Sequence, residues 1–123
     1  MPKPDSLLGS LDLLVLKLLA RRDSTSAQAE GRCARFQGMH GYAIMTAIRE
    51  MSDEVLDVEE GSLYPALHRM EEAGWLKAEW TVRDNGRRSR VYQITAAGRK
   101  QLGHAETRWQ AVTAAVNRIL KMA

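Results

Sequence analysis

One cysteine, Cys33, stands in a chain of 123 residues. No disulfide framework can form within the chain, so the core must hold without covalent staples, as suits a reducing compartment. Long hydrophobic runs are also missing. The stretch from Leu7 to Ala20 is broken by Asp12 and Lys17 and is too short to span a bilayer. The polar start Met1-Pro2-Lys3-Pro4-Asp5-Ser6 lacks the charged start and small-residue cleavage site of a signal peptide. These features lead us to expect a soluble, cytoplasmic protein with no membrane partner.

Enzyme-like constellations are scarce too. His40, His68 and His104 fall on different segments, and no Cys/His pair has the spacing of a zinc site. Gly31, Gly38 and Gly41 are scattered and form no phosphate loop. Neither paired carboxylates nor a nucleophile elbow accompanies them. Cys33 reads as an incidental thiol. We expect no catalysis, no metal and no cofactor. There is no internal repeat.

What is present suits one compact domain with an element left over for a partner: 45% hydrophobic and 27% charged residues, with a formal net charge of +3. Leu7, Leu11, Leu14, Val15 and Leu18 give helical spacing over about Ser6–Ala20. Leu8, Leu13, Leu16 and Leu19 add apolar surface at the flanks. A helix this apolar is buried on more than one side. Arg22–Gly38 holds Phe36 as its large apolar residue and reads as a flexible insertion, with Arg32 and Arg35 as cations that could touch a nucleic-acid backbone. A second helix fits Gly41–Met51, with Tyr42, Ile44, Met45, Ile48 and Met51 apolar. A third fits Gly61–Ala73, where Leu63, Ala66, Leu67 and Met70 form one stripe. Ser62 is its expected N-cap, Pro65 falls in its first turn and Gly74 ends it.

The period then changes to two. Leu76, Ala78, Trp80 and Val82 alternate with polar residues, Asp84-Asn85-Gly86 signals a turn, and Arg88–Ile94 returns. Thr95 is placed to cap a last helix reaching about Lys121. In it Leu102, Ala105, Trp109, Val112, Val116 and Ile119 are spaced three, four, three, four and three residues apart. That is a heptad seam, and self-association is the simplest way to bury it. The expected fold is mainly α with a small β hairpin: a winged helix-turn-helix over residues 1–95 and a dimerisation helix over 96–123.

Two constellations point to DNA. The outer face of the third helix presents Ser62, Tyr64, Pro65, His68, Arg69 and Glu72, and its N-terminal half carries short donors and longer polar groups suited to the major groove. Arg83, Arg87, Arg88 and Arg90 crowd the hairpin tip, where their mutual repulsion calls for an anionic partner. Glu59 and Glu60 favour the helix N-terminus and are expected to face away from phosphates. The alternative is a winged-helix protein-interaction module, whose binding would lack the steep salt dependence of DNA.

Several motifs carry a family resemblance. His40-Gly41-Tyr42, then Gly61-Ser62-Leu63-Tyr64-Pro65-Ala66-Leu67-His68-Arg69-Met70-Glu71, then Gly74-Trp75-Leu76, and later Arg87-Arg88, Tyr92-Gln93-Ile94-Thr95 and Gly98 resemble the PadR regulators, the smaller type with one C-terminal helix. The resemblance covers the chain outside Arg22–Gly38. It implies a homodimer on a pseudo-palindromic operator, usually as a repressor, with Tyr42, Ser62, Tyr64 and the wing arginines on DNA and the last helix as dimer interface. It also implies that Trp109 is the residue on which a planar aromatic effector would stack between subunits.

Overall fold

The computed structural model describes residues 5–29, 38–82 and 85–122, with side-chain detail from residue 10 to 22 in the first segment. Seven elements follow in order: α1 (Asp5–Ala29), β1 (Met39–His40), α2 (Gly41–Met51), α3 (Glu60–Glu72), β2 (Leu76–Val82), β3 (Arg88–Ile94) and α4 (Ala96–Leu120). Three helices precede an antiparallel hairpin and a long terminal helix, the layout of a winged helix-turn-helix. The sheet has three strands in the order β1-β3-β2, where a two-stranded hairpin was expected. The added strand is only Met39–His40, paired with Tyr92 and Val91. Two residues are too short for any periodicity to announce them.

The core gathers one face from every major element: Leu11, Val15, Leu16 and Leu19 of α1, Ile44 and Ile48 of α2, the α3 stripe Leu63, Ala66, Leu67 and Met70, and Leu76, Tyr92, Ile94 and Leu102. The α3 stripe is the one its spacing predicts. The buried face of α1 is a different matter. Leu16 and Leu19, expected at the flanks, are buried, whereas Leu14 and Leu18 are partly exposed. These two, with Ile48, Met51 and Leu56, line an open apolar groove of about 150 Å³ beside α2. Of the apolar positions expected on α2, Tyr42 and Met51 are exposed. Leu7 and Leu8 fall among the side chains outside the described set.

Other boundaries are corrected. Helix α1 continues to Ala29, so the insertion expected from Arg22 begins as helix. Arg32, Cys33, Arg35 and Phe36 lie outside the described residues, as do Arg83 and Asp84. Helix α3 starts at Glu60 with Glu59 as N-cap, so Ser62 is inside the helix and is not its cap. Pro65 consequently sits in the second turn, where the missing N–H leaves the Gly61 carbonyl without its intrahelical donor. At the other end Gly74 takes φ +87°. The Gly74 N–H donates to the Glu71 carbonyl and the Trp75 N–H to the Met70 carbonyl, both at 3.0 Å, which closes the helix with a left-handed residue that glycine tolerates. Thr95 caps α4 as expected: its hydroxyl accepts from the Gly98 N–H at 3.0 Å and donates to the Gly74 carbonyl at 2.7 Å. No helix among the described residues is long and apolar enough to cross a membrane.

Candidate nucleic-acid interface

Helix α3 is held from below by its buried stripe and from the side by α2. The Tyr64 ring lies over Gly41, the first residue of α2. This contact joins the two motifs that carry Tyr42 and Tyr64. Tyr42 itself is 64% exposed and Tyr64 41%. Ser62, Pro65 and His68 are exposed beside Tyr64, and His68 Nε2 lies 3.1 Å from Glu72 Oε2, one turn further on. Glu59 and Glu60 are exposed at the helix start, where a negative charge suits the N-terminal dipole.

Arg69 is in a different situation. It makes a bidentate contact with Asp12 of α1, from Nη1 to Oδ2 at 3.0 Å and from Nη2 to Oδ1 at 2.8 Å. Burial pushes the Asp12 carboxyl above its ordinary range, and Arg69 pulls it partly back. The guanidinium expected on DNA thus also makes an interhelical tie, with its side chain 56% exposed.

The wing shows a similar division. Gly86 adopts φ +84°, and the Asn85 side-chain oxygen accepts from the Arg87 N–H at 2.9 Å, an Asx turn. Arg87 and Arg88 are exposed. In the hairpin register Trp80 pairs with Arg90 and Val82 with Arg88, so one face of the ribbon carries Trp80, Val82, Arg88 and Arg90 together. The Arg88 guanidinium stacks 4.9 Å from the Trp80 ring centre. Arg90 points the other way along this ladder. It donates to Glu71 of α3 at 2.8 Å and lies 5.4 Å from the Trp80 ring centre and 5.9 Å from that of Tyr92. Burial raises the Tyr92 hydroxyl pKa, Arg90 opposes that rise, and Glu71 and Tyr64 reinforce it.

Trp80 was expected as an inward residue of a half-buried strand. It is 56% exposed. The signal was available in the alternation itself, which puts Trp80 on the face that Arg88 and Arg90 share. Glu71 was missed for another reason: nothing in one helix reveals which cation of a distant strand it will meet.

The described residues hold no group of three or more His, Cys, Asp or Glu side chains able to bind a metal. The expected dimer seam on α4 needs one correction. Leu102 is 7% exposed and belongs to the chain's own core, while Ala105 is partly buried and Trp109, Val112, Val116 and Ile119 are exposed.

Residues 32–104 match the model of the transcriptional regulator PadR-like family. The chain belongs to that family. Among relatives of this PadR-like protein, the transcriptional regulator Rv3488 of Mycobacterium tuberculosis is 48% identical over 54 residues, which are 44% of this chain and 50% of that protein. The aligned stretch thus spans half the length of that relative. The structure of a transcriptional regulator from Clostridium thermocellum superposes with a TM-score of 0.76 at 26% identity, over 95% of this chain and 99% of that one. A PadR-like transcriptional regulator from Bacillus cereus has the same fold, with a TM-score of 0.70 at 24% identity over 97% and 99% of the two chains.

Proposed function

We propose that two copies of this PadR-like regulator bind a pseudo-palindromic operator and repress transcription from it. Residues 1–95 act as the DNA-binding unit and 96–123 as the dimerisation helix. The reading is carried by one observation: α3 buries Leu63, Ala66, Leu67 and Met70 and leaves Ser62, Tyr64, Pro65 and His68 exposed on the opposite side. With Tyr42 they form the base-reading surface, since a helix of this width enters the major groove. Arg87 and Arg88 hold the flanking phosphates from the wing, where guanidinium makes its strongest contacts. Arg69 and Arg90 leave the set of direct contacts because Asp12 and Glu71 engage them.

Two recognition helices in successive major grooves put half-site centres about ten base pairs apart. Trp109, 41% exposed on α4, is the proposed stacking surface for a planar aromatic inducer. Such a ligand would act by changing the angle between the two terminal helices and hence the spacing of the recognition helices.

The test is selection of bound duplexes from a random pool, followed by titrations with two variants. Arg88→Ala should weaken binding to every duplex alike and lower the salt slope by about one. Tyr64→Ala should cost about 1–3 kcal/mol on the selected duplex and much less on random sequence. Silence of both variants would remove this face from DNA binding, and affinity flat with salt would remove DNA altogether.

A further inference from the structure

Arg90 has the position of a wing cation and the surroundings of a clamp. The third strand of the sheet, β1, pairs only with Val91 and Tyr92 of β3. Arg90 is the next residue toward the tip. From it outward the sheet is a two-stranded ribbon, in which Trp80, Thr81 and Val82 face Arg90, Ser89 and Arg88. A two-stranded ribbon is marginal by itself and twists freely, so something at its base must fix its direction. Arg90 does so from that base. One end of its guanidinium holds Glu71 Oε2 at 2.8 Å. The rings of Trp80 and Tyr92 lie against it. Its Nε is buried with no hydrogen-bond partner, which means the side chain is kept there although one donor goes unsatisfied.

Glu71 belongs to α3, so the pair ties the ribbon to the helix proposed to read bases. Both side chains are more than half buried, at 33% and 27% exposure, and the contact is less open to water than an ordinary surface pair. Trp80 serves both arginines: Arg90 beneath the ribbon's base and Arg88 nearer its tip.

We propose that Arg90 is a positioning residue that sets the angle between wing and α3 through Glu71 and Trp80, so that Arg88 meets the backbone of the same duplex whose bases α3 reads. This rests on the DNA-binding reading above. A phosphate contact and a clamp make different predictions. Loss of a phosphate contact lowers the slope of log affinity against log salt by about 0.9 on any duplex. Loss of a clamp leaves the slope on a random duplex alone, because a loosened wing still brings Arg88 to some phosphate there, and erodes the preference for the right sequence, which needs wing and α3 in one register.

Glu71→Ala, Arg90→Gln and the exchanged pair Glu71→Arg with Arg90→Glu test this beside Arg88→Ala. Alanine is the best helix former, so Glu71→Ala keeps α3 intact even if an Arg90 variant folds poorly. The first arm uses the free protein. Amide exchange at Thr81 and Ser89, the pair whose N–H groups face each other across the ribbon, should quicken about tenfold in Glu71→Ala and return toward wild type in the exchanged pair, with α2 unchanged; exchange that does not move overturns the clamp. The second arm uses a random-sequence duplex of about 30 base pairs and the duplex most enriched by the wild-type protein. The salt slope on the random duplex should hold in Glu71→Ala and Arg90→Gln and fall only in Arg88→Ala. The preference for the enriched duplex should drop about tenfold in both and recover in the exchanged pair. A slope that falls in Arg90→Gln as it does in Arg88→Ala makes Arg90 a phosphate contact and overturns the proposal. Salt-insensitive binding by the wild-type protein would refute the DNA reading, while the exchange arm would still decide the clamp.

Discussion

A β-carbon on Gly41 would lie 2.6 Å from Tyr64 Cε1 and 2.7 Å from its hydroxyl oxygen, so position 41 has no room for a methyl group while the ring stays where it is. Two effects compete in Gly41→Ala. Alanine favours helix by up to about 1 kcal/mol, less in a first turn, and overpacking costs about 1–3 kcal/mol. The obstacle is a ring that can swing, so the lower end of that range applies and a net loss of about 1 kcal/mol is expected in a urea titration. In a Tyr64→Ala background the loss should vanish or reverse. An equal loss in both backgrounds would mean the ring is not what Gly41 accommodates. Each of the two motifs is conspicuous by itself in the sequence. That they form one contact is not visible there, because a glycine in a helix start shows only that bulk is absent and says nothing about what fills the space.

Between elements, the Asp12–Arg69 tie joins α1 to α3 and has a pH signature. The Asp12 carboxyl is raised from 3.8 because burial outweighs Arg69. In the window above that value the folded state therefore holds more protons than the unfolded chain. Stability from this group is greatest in acid and is lost as pH rises through the folded pKa, then stays level. Asp12→Asn removes the titration. Relative to wild type the variant should gain stability as pH rises from below 3.8 through the raised folded pKa, by no more than about 1 kcal/mol since the Arg69 side chain is 56% exposed and screened by water. A relative loss over the same window, read from denaturant midpoints, would mean that the ion pair outweighs desolvation. Elements differed in how far they could be read. The stripe of α3, the hairpin turn and the Thr95 cap were legible because periodicity or turn chemistry is local. The buried face of α1 was not, since leucines surround it and only its neighbours choose among them. Its run to Ala29 was hidden by a segment, Arg22–Ala29, without apolar period. The carboxylate partners of Arg69 and Arg90 were hidden too, because a sequence shows the charge of the arginines and not the side chains that engage it.

At the scale of the whole molecule, α4 poses the question. It is docked at its start by Leu102 in the core and by Lys17, whose Nζ reaches Glu106 at 2.8 Å. Beyond that point the seam residues are open, with Val112 37%, Val116 47% and Ile119 66% exposed. Apolar burial stabilises by about 25 cal/mol per Å², so a stripe left in water along a 25-residue helix favours pairing with a second copy. Val116→Glu puts a charge in the middle of that stripe without touching the chain's own core. If two copies meet at this seam as proposed, the wild-type protein should sediment as a dimer and the variant, with the same helical signal, as a monomer at the same concentration, with the association constant reduced at least about a hundredfold. Two recognition helices no longer held together lose the gain from a second, effectively intramolecular contact, so affinity for a two-half-site duplex should fall toward that for one half-site. Leu102→Glu, a heptad position inside the core, should instead unfold the chain. Unaltered sedimentation of Val116→Glu would show that the seam is not where two copies meet, and pairing would then be tested at another open apolar surface, the partly exposed Leu14 and Leu18 of α1.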